Sequence, residues 1–278
     1  MVLDTSGSMK WDMDGKSESI TNANRRITIL KENANKMIDR LANMDFDIYV
    51  SLVPFANDAN DPKGFCNVND VADLATIKAQ IAALDANGAT NTGDGIRRAY
   101  HQLKSKADTL ITNGKTYNDF TQHMLVLVDG QTNRETREIT GTFLWFVTSD
   151  KHSSKSGNTT SSVSVGNNRV VSVSENNNDY INFLGTNLIQ KTYTFEEEEK
   201  QIINTFVIGF SNKSADHGSL QAIGTALNGK MFEHASGQKP YVIATNAGEL
   251  DFAFEQFEAE VENSLWVITR PQLKPSDP

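Results

Sequence analysis

The feature that most constrains the fold is a short apolar run at the start of the chain that ends in a carboxylate and two alcohols. Val2 and Leu3 precede Asp4. Hydroxyl groups follow at Ser6 and Ser8. This order predicts a buried strand that opens into a polar loop at its C-terminal end, where open α/β sheets bind their ligands. Oxygen donors of this kind suit Mg²⁺, Mn²⁺ or Ca²⁺, although an ordinary polar turn that caps a helix would explain the same residues.

Two later stretches place further oxygen side chains at the ends of predicted elements. A Gly-Ala-Thr-Asn-Thr-Gly loop around Thr90 leads into a helix, and the apolar run 123–128 ends at Asp129. Together the three stretches resemble the metal-ion-dependent adhesion site of von Willebrand factor A-type (vWA) domains. The family pattern is Asp-x-Ser-x-Ser, then a Thr in a Gly-x-Thr-Asn-Thr loop, then an Asp at the end of a later strand. The residue before that last Asp is often Thr in the family and is Val128 here.

The resemblance implies a doubly wound α/β fold, with a mostly parallel, Rossmann-like central sheet flanked by helices. It also implies that one divalent cation, Mg²⁺, Mn²⁺ or Ca²⁺, is held by five residues. These are Asp4, Ser6, Ser8, Thr90 and Asp129. In the family pattern the serines bind the cation directly, the aspartates act largely through water, and the threonine binds directly or through water. One coordination position stays open for an Asp or Glu carboxylate of a partner protein.

The spacing of apolar residues supports this fold independently of the resemblance. It predicts helices over 24–41, 71–84, 96–110, 220–227 and 250–265, and strands over 47–55, 123–128 and 202–209. Shorter strands are expected at 231–232 and 241–244. Asp70 is a predicted N-cap, and Asn246 with Glu249 forms a predicted capping box. Alternating strands and helices are typical of a parallel sheet with helices on both faces.

The segment 131–199 is longer than the connection that a crossover helix needs. It contains an apolar run around Trp145, a Ser/Thr/Asn-rich stretch at 153–162 and a hairpin-like pair around 169–173. Its polar, β-rich character predicts an inserted lobe that begins beside the metal-bearing end of the sheet. We therefore expect a single vWA domain over residues 1–268 with this insertion, followed by a tail from 269 to 278.

Charge and composition limit the classes of partner. The net charge of −9 argues against a nucleic-acid partner, which would require a basic face. No segment approaches the roughly 18 consecutive apolar residues of a membrane helix. Since only Val2 and Leu3 precede Asp4, and a central strand usually has about five or six residues, we expect this chain to be a piece of a longer protein. Any targeting segment would then lie outside it.

Three classes of function fit these features. The first is a metal-dependent adhesion module at the cell surface or on a pilus, which binds a host or extracellular-matrix protein. The stretch 52–55, Leu-Val-Pro-Phe, resembles vWA modules of bacterial pilus-associated adhesins and favours this class. The alternatives are an intracellular subunit that couples to an AAA+ motor, as in metal chelatases, and a metal-dependent hydrolase. Asp4 and Asp129 could act as acid and base, but no Ser–His pair is placed near them, so we expect no enzymatic activity.

Overall fold

A five-stranded parallel sheet forms the centre of the computed structural model, which describes residues 1–16, 21–60, 63–143, 146–154, 164–165, 168–174, 178–195, 198–213 and 217–269. Its strands are β1 (Val2–Asp4), β3 (Val53–Phe55), β5 (His123–Val128), β12 (Asn204–Gly209) and β13 (Val242–Ile243). The strand order is β13-β12-β5-β1-β3, and every neighbouring pair runs parallel. The chain crosses the sheet in both directions from β1, which is the doubly wound arrangement predicted from the sequence.

Six α-helices are seen in the described part of the chain. They are α1 (Arg26–Ala42), α2 (Val71–Ala82), α3 (Thr92–Thr112), α4 (Asp179–Leu184), α5 (His217–Leu227) and α6 (Ala247–Thr269). Short 3-10 turns cover Gly7–Lys10 and Asn22–Asn24, and a π turn covers Gly185–Ile189. Within these described residues, none of the helices is both long enough and apolar enough to span a membrane.

The helices cover both faces of the sheet because the side chains of a buried strand alternate between its faces. In β5, Leu125 and Leu127 pack in the core formed with α1, α2 and α6. Met124, Val126 and Val128 point the other way, into the core formed with α3, α4 and α5. Two apolar layers thus hold the central strands in place and leave the C-terminal strand ends free for a polar site.

The predicted helix starts are confirmed by their hydrogen bonds. The Asp70 carboxylate accepts from the backbone N–H groups of Ala72 and Asp73 at 2.9 and 3.0 Å. At the start of α6, the Asn246 side chain accepts from the N–H of Glu249 at 3.0 Å, while the Glu249 carboxylate accepts from the N–H of Thr245 at 2.7 Å instead of completing the predicted box at Asn246. Caps of this kind each stabilise a helix by about 1 kcal/mol.

The predicted strand 47–55 is wrong as one element, because the chain changes partner at Ser51. Its first part is β2 (Tyr49–Val50), which pairs antiparallel with β4 (Cys66–Asn67) in a separate ribbon, and its second part is β3. Ser51 turns the chain between them, since its carbonyl accepts from the amino group of Met1 and its hydroxyl donates to the carbonyl of Lys63. Residues 231–232 likewise form only an isolated bridge, between Phe232 and Lys239.

The β-rich insertion is confirmed, and it also contains a helix that the sequence analysis did not predict. Its four-stranded antiparallel sheet has the order β7-β6-β9-β8. The strands are β6 (Arg134–Phe143), β7 (Phe146–His152), β8 (Ser164–Val165) and β9 (Asn168–Ser174), and a second hairpin joins β10 (Thr192–Phe195) to β11 (Glu198–Gln201). The helix α4 buries Tyr180, Ile181 and Leu184 against the central sheet. The insertion therefore supplies part of the cover for this face.

Some predictions fall outside the residues that the structure describes. They concern Trp145, the Ser/Thr/Asn-rich residues 155–162 and the tail from residue 270 onward. The boundaries of a single domain at 1–268, with a lobe at 131–199, stay a prediction.

His123 makes the stability of this fold depend on pH. Its ring packs edge-on against Phe257, and its Nε2 lies 3.0 Å from Ser264 Oγ. Burial lowers the pKa of His123 from 6.5 to about 4, against a smaller opposing effect of Glu260. Between these two values the unfolded chain binds more protons than the folded chain, so the free energy of unfolding falls as the pH drops from about 6.5 to about 4.

We expect His123→Gln to remove about 2 kcal/mol of this acid sensitivity, because one pKa unit corresponds to about 1.4 kcal/mol and the imidazole is partly solvent-exposed. Urea unfolding at pH 7 and at pH 4.5 measures the difference. An unchanged pH dependence in the His123 variant would contradict the assignment.

Candidate metal site

The site lies at the C-terminal ends of β1 and β5, which are neighbours in the sheet. Their parallel register, with Val2 opposite Val126 and Leu3 opposite Leu127, brings Asp4 and Asp129 to the same edge. After β1 the chain enters the 3-10 turn Gly7–Lys10. This turn folds the polar loop back over the strand ends and carries the two serines into the site.

Two serine hydroxyls and one carboxylate meet beside Asp4, where Ser6 and Asp129 are buried and Ser8 is half-buried. Ser6 Oγ and Ser8 Oγ lie 2.9 Å apart. Ser8 Oγ donates to Asp129 Oδ1 at 2.8 Å, and Ser6 Oγ approaches the same oxygen at 3.5 Å. Residues that are 121 and 123 positions apart thus converge on one carboxylate oxygen.

Asp4 is fully buried and is held by backbone donors. Its Oδ1 accepts from the N–H of Ser6 at 2.8 Å, and its Oδ2 accepts from the N–H of Asp129 at 3.3 Å. These bonds fix the orientation of the carboxylate by means of its own loop and the neighbouring strand end.

Burial makes two neighbouring negative charges unfavourable in this site. Desolvation raises the pKa of Asp4 well above its ordinary value, and the charge of Asp129 raises it further. Desolvation also raises the pKa of Asp129, although Arg26 and Ser8 oppose this effect. An opposite charge within a few ångströms would favour both ionised forms. The electrostatics of the site therefore fit a cation.

The Thr90 loop reaches the same edge of the sheet through backbone hydrogen bonds. Gly7 N–H donates to the carbonyl of Gly88 at 2.9 Å, which joins this loop to the one that carries the serines. Thr90 N–H donates to Asn133 Oδ1 at 2.9 Å, and its carbonyl accepts from the N–H of Asn133 at 3.0 Å. Thr90 is buried here, but among the described residues its side chain does not join the hydrogen bonds of the other four predicted ligands.

Gly95 allows the first turn of α3 to approach the central strands. A Cβ at this position would lie 2.8 Å from side-chain atoms of both Val2 and Phe55. The adjacent glycines Gly93 and Gly95 predict a close approach of this turn to the metal-bearing loop, and the approach of Gly95 is to the strands β1 and β3. The close packing fixes the position of the Thr90 loop relative to β1.

Arg26, at the start of α1, is a residue of the site that the sequence analysis missed. It is fully buried, and its Nη1 lies 3.0 Å from Asp129 Oδ2. The helical stripe was inferred from apolar residues such as Leu30, and Arg26 lies in phase with that stripe, four residues earlier. The sequence therefore contained a signal for this residue, because a charged side chain lay on the same helical face as the buried apolar residues.

The donor set fits a hard divalent cation. Within the described ranges, no group of three or more His, Cys, Asp or Glu residues is placed to hold a metal. The site has two carboxylates and completes its donors with hydroxyl oxygens, so such a group is not required. All of the donors are oxygens, which suits Mg²⁺ and Mn²⁺ better than soft metals.

Comparison with known proteins identifies the fold. The family model for the von Willebrand factor type A domain matches residues 1–243. The PilB minor pilin from Streptococcus sanguinis is 22% identical, with a TM-score of 0.67 over 97% of this chain and 62% of that chain. The SpaC pilus adhesin from Lactobacillus rhamnosus GG, in an open conformation, is 14% identical, with a TM-score of 0.52 over 94% of this chain and 29% of that chain.

A third structure has the same fold. A von Willebrand factor type A protein from Catenulispora acidiphila is 16% identical, with a TM-score of 0.52 over 93% of this chain and 41% of that chain. No curated protein matches the sequence. The match to the PilB minor pilin spans 62% of the length of that chain, so the likeness concerns one part of it.

Proposed function

The chain belongs to the von Willebrand factor type A family, and from this premise we propose that it is a metal-dependent protein-binding module of a pilus-associated adhesin. The observation that carries the proposal is the convergence of Asp4, Ser6, Ser8 and Asp129 at one end of the sheet. These residues supply oxygen donors in a site whose buried carboxylates favour a nearby positive charge.

Each side chain has a distinct part in this proposal. Ser6 and Ser8 bind the cation directly, while Asp4 and Asp129 hold it largely through water and supply the negative charge. Thr90 completes the set from the α3 loop. The cation, which is Mg²⁺ or Mn²⁺ and less readily Ca²⁺, offers an open position to an Asp or Glu carboxylate of the partner. Because few negative charges contact the cation directly, the cation still attracts that carboxylate strongly.

The partner and the location are inferred from the structural neighbours. Two of them are a minor pilin and a pilus adhesin by their descriptions, so we place this chain in a longer, pilus-associated protein at the cell surface. A host or extracellular-matrix protein is the proposed partner. We propose no enzymatic activity, and no specific observation favours the motor-subunit or hydrolase alternatives.

Cation-dependent adhesion is the direct test of this function. Isothermal titration with Mg²⁺ and Mn²⁺ should show one high-affinity site. Binding to immobilised extracellular-matrix proteins should require that cation and disappear when EDTA is added. Titration without measurable heat or saturation for both cations would refute the metal site, and EDTA-resistant adhesion would refute the metal-dependent mechanism.

Thr90→Ala should weaken adhesion more than it weakens cation binding. A neutral hydroxyl contributes less to cation affinity than an aspartate does, but it helps to hold the coordination geometry in which the partner carboxylate binds. We expect Mg²⁺ affinity to fall by less than about tenfold and adhesion to fall by more than that, where tenfold corresponds to about 1.4 kcal/mol. Thr109→Ala, on the exposed side of α3, is the control. Equal losses in both assays would contradict this division of roles.

A further inference from the structure

We propose that Arg26 sets the net charge of the cation site, so that the site binds the cation less tightly and an anionic ligand more tightly. The inference rests on the proposed metal-binding function and concerns a residue outside the ligand set. It assigns Arg26 a role in the balance between the cation and the partner carboxylate. The alternative is that the arginine only ties the start of α1 to the neighbouring loop.

Four oxygen atoms fix the guanidinium of Arg26 in the interior. Its Nη1 donates to Asp129 Oδ2 at 3.0 Å and to the Asp129 carbonyl at 3.2 Å. Its Nε donates to the carbonyl of Asp12 at 3.0 Å, and its Nη2 donates to that of Met13 at 3.3 Å. A planar guanidinium held at every nitrogen cannot swing away when a cation binds. Its positive charge is therefore a permanent part of the site.

The two carboxylate oxygens of Asp129 have different partners, one being the arginine and the other the proposed metal ligands. Oδ2 faces Arg26, while Oδ1 faces the hydroxyls of Ser8 and Ser6. In the part of the chain that the structure describes, Asp4 has no comparable ion pair, and its carboxylate accepts from backbone N–H groups. One of the two carboxylates is thus partly neutralised before a cation arrives, and the other is not.

A count of formal charges gives the consequence. Asp4, Asp129 and Arg26 sum to −1, so a divalent cation brings the site to +1. Without the arginine the same cation would bring it to zero. These charges are buried, and at low effective dielectric each charge changes the attraction for an ion by several-fold to many-fold. The arginine therefore repels the cation and leaves a net positive charge that a partner carboxylate neutralises.

Substitutions at Arg26 separate its charge from its hydrogen bonds. Arg26→Gln removes the charge and keeps an amide donor, and Arg26→Met keeps the length and the apolar stem. Arg26→Lys keeps the positive charge but loses the planar set of N–H donors of the guanidinium. Lys36→Gln, on the exposed side of α1, removes the same charge far from the site and is the matched control. Thermal unfolding without cation shows which variants are folded.

The cation alone is the first probe. By isothermal titration we expect Arg26→Gln and Arg26→Met to bind Mg²⁺ about tenfold more tightly than the wild type, because the repulsion between like charges is removed. Arg26→Lys and Lys36→Gln should stay within about threefold of it, because neither changes the charge beside the cation. A residue that only orients Asp129 would show the opposite pattern, with weaker cation binding in every Arg26 variant.

Acetate is the second probe, as a minimal carboxylate. In the Mn²⁺-loaded protein, displacement of water by acetate lowers the proton relaxation rate, and the wild type should bind acetate about tenfold more tightly than Arg26→Gln. Unchanged or weaker Mg²⁺ binding in both neutral variants would overturn the inference, as would the failure of both to fold. If the wild type binds neither Mg²⁺ nor Mn²⁺, the proposed metal site fails, and this inference fails with it.

Discussion

Asp4→Asn is expected to lower the affinity for Mg²⁺ and Mn²⁺ by at least about 100-fold, which corresponds to about 2.7 kcal/mol. Asp4 carries one of the two negative charges of the site, and Arg26 already offsets the other. The substitution would leave no net negative charge to attract a divalent cation. Isothermal titration measures this loss directly, and the change in melting temperature on adding Mg²⁺ measures it independently.

The same substitution should leave the cation-free protein at least as stable as the wild type. Asp4 is fully buried beside Asp129, and its raised pKa shows that the ionised form is unfavourable there. An amide of the same shape removes that charge and keeps an acceptor for the N–H of Ser6, and it gives up only the longer, 3.3 Å bond from the N–H of Asp129. The melting temperature without cation should therefore be unchanged or higher.

Asp108→Asn, on the exposed side of α3, is the matched control. It changes the net charge of the protein by the same amount and should keep the cation affinity of the wild type. Cation binding by Asp4→Asn within tenfold of the wild type would remove Asp4 from the site. A large loss of stability without cation would instead show that its main role is structural.

The sequence was sufficient to predict the ends of the central strands and the polar residues that they carry. A carboxylate that follows a buried strand must lie at the C-terminal edge of a parallel sheet, and β1 and β5 are neighbours in that sheet. The resemblance to the vWA pattern placed Asp4 and Asp129 in one site before any distance was known, and the strand order agrees with it. The serines followed, because they lie within four residues of Asp4.

Arg26 could not be assigned in the same way, because its role depends on a contact across the fold. Its partner Asp129 is 103 residues away in the chain. Helical periodicity identifies a buried face through its apolar residues, and a charged residue on that face is normally counted as exposed. Only the tertiary structure shows that Asp129 and two backbone carbonyls surround this position.

Long-range contacts also explain the errors in the secondary structure. The stretch 47–55 alternates like one strand, but Ser51 bonds to Met1 and to Lys63 and separates β2 from β3. The helix α4 has six residues, too few for a helical stripe to stand out within a β-rich segment. The break at Ser51 and the formation of α4 both depend on contacts with residues that are distant in the sequence.

A buried ion cluster lies where α3 meets the inserted lobe and α4. Asp94 Oδ1 accepts from Arg97 Nε at 2.9 Å and from Nη2 at 2.7 Å. Asp94 Oδ2 accepts from the N–H of Ala59 at 2.8 Å and lies 3.6 Å from Arg98 Nε. Burial disfavours the charged form of Arg97 and so lowers its pKa. Asp94 and Tyr180 outweigh this effect and hold the pKa of Arg97 above its ordinary value. The cluster joins the central domain to the helix that the insertion supplies.

Arg97→Met should lower the free energy of unfolding by about 3–5 kcal/mol, because it leaves the Asp94 carboxylate buried without its closest cation. Urea unfolding followed by far-UV circular dichroism and by tryptophan fluorescence measures the loss. Adding Asp94→Asn to the same chain should recover part of the stability, since the unpaired charge is then absent.

Arg40→Met is the control for this prediction, because Arg40 pairs with Asp251 and Glu258 at a partly exposed position. A pair of that kind contributes about 1 kcal/mol or less. If Arg97→Met lowers the free energy of unfolding by no more than this control does, the cluster does not stabilise the contact between α3 and α4. The insertion would then be held by its apolar contacts, such as those of Tyr180 with Gly93, and α4 could detach from α3 without exposing a buried charge.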